Sequence, residues 1–453
     1  MIQINSLQIA GWLIQVKGAV TRRRDHRAMS EPVADRACAR RAKPVAAWRH
    51  VVSMPHRLYF FLGLFALMLA LFWWALVLGA RSLGLAAPAG ALPAGWMHAW
   101  LLVFGALVFI VFGFLMTALP RWADAPAVGA RAHGGVALAL AAGYAMTFAG
   151  TFSGIGVTAA GMTTTGLAWL AGWVALAVRA RRAGPRAAAH VAGVLLLLGL
   201  GAALALYGGA ALLTGDRAAF ARVPRLGVWV FLAPLVFVVT HRMLPFFAAG
   251  VLPEYAIYRP SWGPPLALLL FFGHGLLLWL GAPAGFVVTD AALAFIAAYL
   301  LVRWQPWRVR RNPLLWSLFV AYAWLPVALT LSVVQGLCAA SGRYPVLAFA
   351  PLHALTIGFV TSMVFAMVTR VSLGHSGRAL RMDRLGVGCF LFLQAAAAMR
   401  VAADVGIAPG ARATWMRASI VCMLVALVPW ALRCIRYYAQ PRVDAPVRPA
   451  AKR

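Results

Sequence analysis

One feature limits this chain more than any other: apolar runs of about twenty residues alternate with short loops that hold nearly all of the charge. A run of that length crosses the hydrocarbon core of a bilayer as an α-helix, the form in which each backbone N–H and C=O is satisfied within its own segment. Twelve runs can be read, near 57–80, 96–119, 134–153, 156–178, 187–213, 225–244, 262–281, 285–303, 313–337, 346–369, 384–403 and 413–435. Breaks containing Pro, Gly or Arg separate them. A tight turn around Ser153–Gly156 makes the third and fourth runs a hairpin, and merging those two would leave eleven. The expected fold is therefore all-α, a polytopic bundle of about twelve transmembrane helices over residues 54–438, with the lipid bilayer as its first partner.

Charge decides the orientation. The net charge of +31 would suggest nucleic acid if the basic residues formed one patch. They are scattered through the loops, so no nucleic-acid partner is expected. With the N-terminus inside, roughly four-fifths of the 41 Lys and Arg fall on cytoplasmic segments, the positive-inside pattern of a bacterial inner-membrane protein with both termini cytoplasmic. Residues 1–53 carry basic clusters (Arg22, Arg23, Arg24; Arg40, Arg41, Lys43) and no signal-peptide pattern. They read as a disordered cytoplasmic extension, with Met54 a possible true start, and residues 439–453 read as a basic cytoplasmic tail.

The ten acidic residues avoid the middles of the runs: Asp290 lies near a run start, and Asp124, Glu254 and Asp383 lie in loops. Ion-coupled carriers place carboxylates within the membrane, so this distribution argues against a cation-coupled carrier. Cys38, Cys338, Cys389, Cys422 and Cys434 show no CxxC or metal spacing and read as buried free thiols. Trp73, Trp74, Trp96, Trp122, Trp304 and Trp307 stand near run ends, as an interfacial belt would. The second, sixth and tenth runs each finish with Thr followed soon by Arg (Thr117 and Arg121; Thr240 and Arg242; Thr369 and Arg370), a spacing that suits three four-helix units.

The histidines are the plausible ligand set. His98, His274 and His353 fall toward the outer ends of their runs, and His56, His241 and His375 toward the inner ends. His353 and His375 are separated by roughly 33 Å of helix at 1.5 Å per residue, so one metal cannot take both. Neutral imidazole suits haem iron and copper, whereas a lone membrane histidine more often makes a helix–helix hydrogen bond. His98 and His353 start from the same end of parallel helices and are expected to hold one haem. His56, His241 and His375, with Arg57, Arg242, Arg370 and Arg378 nearby for haem propionates, are expected to form a second, cytoplasmic site.

Four segments resemble the NnrS family: PHRLYFFLGLFALMLALFWW (Pro55–Trp74), FGFLMTALPRW (Phe112–Trp122), HRMLPFF (His241–Phe247) and HALTIGFVTSMVFAMVTRVSLGHSGR (His353–Arg378). The resemblance implies a membrane protein containing haem b and copper, linked to nitric oxide metabolism, denitrification and tolerance of nitrosative stress. It carries over to His56, His98, His241, His353 and His375 as the histidines within matched motifs. Many family members have a second histidine where this chain has Trp100. An architectural likeness to the haem–copper oxidases is weaker. Their paired histidines on helix seven are absent, since His274 stands between Gly273 and Gly275, and Leu355 replaces the second histidine after His353.

Two functions follow. One is a haem protein that handles nitric oxide, by binding or by reduction with electrons from an unidentified donor. The other is a transporter or chaperone of metal or haem for denitrification enzymes, for which a twofold repeat is expected.

Overall fold

The computed structural model describes residues 44–444 apart from 89, 344 and 407–409. Twelve of its helices are long and apolar enough to cross a membrane: α1 (Pro55–Ser82), α2 (Ala94–Trp122), α3 (Ala130–Ser153), α4 (Ile155–Ala180), α5 (Ala187–Leu213), α6 (Arg217–Ala249), α7 (Gly263–Leu280), α8 (Pro283–Arg303), α9 (Pro313–Ala340), α10 (Ala350–His375), α11 (Arg384–Val405) and α12 (Arg412–Tyr438). The chain is thus an all-α, multi-pass membrane protein. One further helix, Pro44–Val52, precedes α1. It covers the end of the stretch expected to be disordered; residues 1–43 and 445–453 of the two expected terminal extensions lie outside the described residues.

Burial sorts the spans. The apolar stretches of α2, α6 and α10 are 72%, 78% and 61% buried, against 28% to 50% for the other nine. These three form the middle of the bundle, and the remaining helices pack around them, with α12 closing against α1. α3 and α4 remain separate because Gly154 breaks the chain at φ 142°, ψ 170°, a conformation essentially reserved for glycine. Across that hairpin, Gly161 approaches the backbone of Thr147, so the two helices lie close.

The three central helices share a distortion that the run pattern does not reveal. Each contains a π-helical stretch: Leu101–Ala106 in α2, Gly227–Leu232 in α6 and Ala354–Thr361 in α10. Such a stretch holds one residue more than an α-helix needs, and it leaves carbonyls out of the i→i−4 ladder. In α10, the Thr361 and Ser362 hydroxyls donate to the Thr356 and Ile357 carbonyls at 2.8 and 3.2 Å. Each π stretch also holds a glycine, Gly105, Gly227 or Gly358, where a Cβ would lie within 3.0 Å of the rings of Tyr144, Phe104 and Trp324, respectively. The four-helix spacing of the Thr and Arg helix ends is also that of the three π stretches.

Several expectations need correction. Asp290 and Asp404 are both buried within spanning helices, so the spans do hold carboxylates. Asp404 falls just beyond the apolar run ended at 403, because the helix continues to Val405. Trp73 and Trp304 face the protein interior instead of a lipid interface, and donate to the Pro88 and Tyr258 carbonyls at 2.8 and 2.9 Å. Trp307 is exposed. Among the described cysteines, Cys389 and Cys434 are buried, Cys338 and Cys422 are partly buried, and all four are free.

Candidate functional site

The π stretches sit beside one cavity. Near the N-terminal ends of α2, α6 and α10, side chains from α1, α2, α6, α10, α11 and α12 enclose about 130 Å³. His98, Arg225 and His353 all line it, and each stands just ahead of its helix's π stretch. Arg400 joins from α11, and the rest of the wall is mostly aliphatic, including Leu67, Leu71, Leu102 and Ile420.

The two histidines are held differently. The His353 ring places Nδ1 3.0 Å from the Phe349 carbonyl and 3.3 Å from Asp404 Oδ2. With the Phe349 carbonyl accepting and the Asp404 carboxylate close by, Nδ1 carries the proton and Nε2 keeps its lone pair. Asp404 is fixed by Arg400 Nη1 at 2.6 Å and Arg412 Nη2 at 3.0 Å. This is the carboxylate–histidine arrangement that orients metal-ligating imidazoles elsewhere. The segment leading into α10 is pinned by Gln335, whose side chain accepts from Leu347 N at 2.9 Å and donates to Ala348 O at 3.1 Å. The His98 ring stacks on Trp74 at 4.2 Å, and its Nδ1 is buried with no hydrogen-bond partner. The donor set, an orphaned imidazole nitrogen and a second imidazole with a free lone pair on one apolar cavity with two arginines, suits a haem iron and its propionates in chemistry.

A second cavity, of about 270 Å³, lies toward the opposite ends of the same helices and is lined by His56, Arg121, Arg370 and His375. The expected second cluster is therefore assembled only in part. The His56 and His375 ring centroids are 4.2 Å apart. Axial ligands on opposite sides of an iron, with each Fe–N bond about 2 Å, would hold their ring centres roughly 6 Å apart, so no haem plane fits between these two. His241 is absent from this cavity. It packs beside Trp304 and Phe237, with Gly263 against its Nε2. Arg242 lies over the Trp122 ring, Arg57 donates to the Tyr438 and Gln440 carbonyls, and Arg378 donates to Gln440 Oε1. Those three contacts tie the chain's end and neighbouring helices instead of lining the cavity.

His274 is not solitary. Its Nδ1 is 3.0 Å from both Asp290 oxygens, and its ring lies between Trp229 and Phe286 at 3.5 and 4.0 Å. It lines neither histidine cavity. Among the described residues, no three His, Cys, Asp or Glu side chains gather as a metal cluster. The run pattern missed Trp74, Arg225, Arg400 and Asp404. The available signal was Arg400 and Asp404 four residues apart at a helix end, a pair that faces one way.

The NnrS protein family model matches residues 50–442. No curated protein sequence matches the chain.

Proposed function

Because this chain belongs to the NnrS family, we propose that it handles nitric oxide with a haem b held between His98 and His353. The observation that carries this reading is the convergence of two histidines from parallel central helices, with Arg225 and Arg400, on one apolar cavity. When bound there, haem would supply an iron able to exchange single electrons and to bind a small neutral gas. The protein's part is to hold and orient. The Phe349 carbonyl and the nearby Asp404 hold the His353 ring, and Arg225 and Arg400 suit two carboxylates. His353 is tied through Nδ1, whereas His98 Nδ1 has no partner, so His98 would be the less firmly held of the two imidazoles. The positive-inside bias supports a periplasmic position for this cavity and a cytoplasmic one for the His56 cavity.

The π stretches recur in threes along the chain, a pattern that favours this reading over a metal or haem transporter built on a twofold repeat. Optical spectra of purified protein, oxidised and dithionite-reduced, test the reading. Wild type should show haem b bands, and His98→Ala and His353→Ala should lose most of them. Reduced protein should shift its Soret band under nitric oxide. A preparation without haem, after expression with adequate haem supply, would sink the proposal. Haem that ignores the gas would reduce the protein to an electron carrier.

A further inference from the structure

We propose that the cavity lined by His56, Arg121, Arg370 and His375 binds a small oxyanion. His56 is only 3% exposed, and both of its ring nitrogens are buried with no partner. Native interiors rarely tolerate such atoms, which usually mark water or an ion. Arg121 and Arg370 pair with no carboxylate among the described residues, and none of the lining residues is Asp or Glu. The wall thus offers two guanidinium forks and two imidazoles, and no anion to balance them. A cation would face two fixed positive charges, and the 4.2 Å ring separation leaves no room for a haem plane. A ligand with several acceptor oxygens and negative charge can accept from the His56 N–H and from both arginines, of which Arg370 also lies over the Phe247 ring at 4.0 Å, since guanidinium binds oxyanions bidentately. The volume of about 270 Å³ admits nitrite, nitrate or phosphate with accompanying water. The same chemistry is offered by a free anion and by the phosphate of a lipid headgroup. The site does not depend on the haem reading, because it shares no residue with the His98 cavity.

The test uses the full chain in nanodiscs of zwitterionic lipid and in nanodiscs enriched in phosphatidylglycerol. Calorimetric titration with phosphate and with nitrite, at constant chloride, should show saturable binding to one site. Arg121→Gln and Arg370→Gln should each weaken it by at least about tenfold, whereas Arg370→Lys should retain part of it. Equal binding in both nanodiscs identifies a free anion. Weakened binding in the phosphatidylglycerol nanodiscs identifies a lipid phosphate, and either result supports the site. Should the Gln variants fold poorly, His56→Gln should weaken binding in well-folded protein, and an unchanged affinity there would count against the site. Neither anion binding, and no difference between nanodiscs, in wild-type protein with an intact thermal transition would overturn the proposal and leave only water in the cavity.

Discussion

At the scale of single residues, much of the candidate site turns on one carboxylate. Asp404 joins His353 to Arg400 and Arg412, so Asp404→Asn replaces an anionic acceptor with a neutral amide. The expected outcome is haem affinity lower by about 10- to 100-fold and a raised haem midpoint potential, read by spectral titration, with little change in helix content. Asp383 offers a prediction outside the spans. Arg433 forks its carboxylate at 2.7 and 2.6 Å, and that hydrogen bonding holds the carboxyl below its usual range. A depressed folded value stabilises the protein above the unfolded value of roughly 3.9, and the benefit disappears as pH falls through the folded value. Wild type should therefore melt above Asp383→Asn at pH 7, and the gap should shrink as the pH falls below the ordinary carboxylate range. Which histidines lay near each end was legible from the run positions. Which of them met was not, because facing depends on helix rotation: His241 has the same depth as His56 and His375 but turns toward Trp304.

At the scale of elements, the spans were legible because hydropathy fixes their length, and their order needed nothing more. The π stretches were not, since apolar residues surround each on all sides and leave no periodicity to break. Their close packing is testable at Gly227, which faces Phe104 and Val103 of α2. Gly227→Ala should cost about 1–3 kcal/mol through overpacking, read as a lower melting temperature in detergent. Phe104→Leu on that background should recover part of the loss if the clash is with the ring, and none if glycine matters for backbone freedom alone. The hairpin of α3 and α4 was legible as the turn around Ser153–Gly156, and the structure breaks the helix at Gly154.

At the scale of the whole molecule, orientation is an expectation that chemistry in intact cells can test. In a cysteine-free background, a cysteine at Leu85, in the loop before α2, should react with a membrane-impermeant maleimide added to spheroplasts. One at Arg182, between α4 and α5, should not react until the membrane is opened. The reverse pattern would invert the assignment of both cavities. The three π stretches constrain how such a chain can change over generations. An α-helix turns about 100° per residue, so a surplus residue sets the angular phase between the two halves of a helix. His98 is aimed by a phase that Leu101–Ala106 establishes, and His353 by one set in Ala354–Thr361. Side chains within those stretches can be exchanged one at a time, but losing a single codon there would swing the histidine about a quarter-turn off the cavity while leaving every hydropathy profile unchanged. Descendants of this sequence are therefore free to drift in letter and held fast in count.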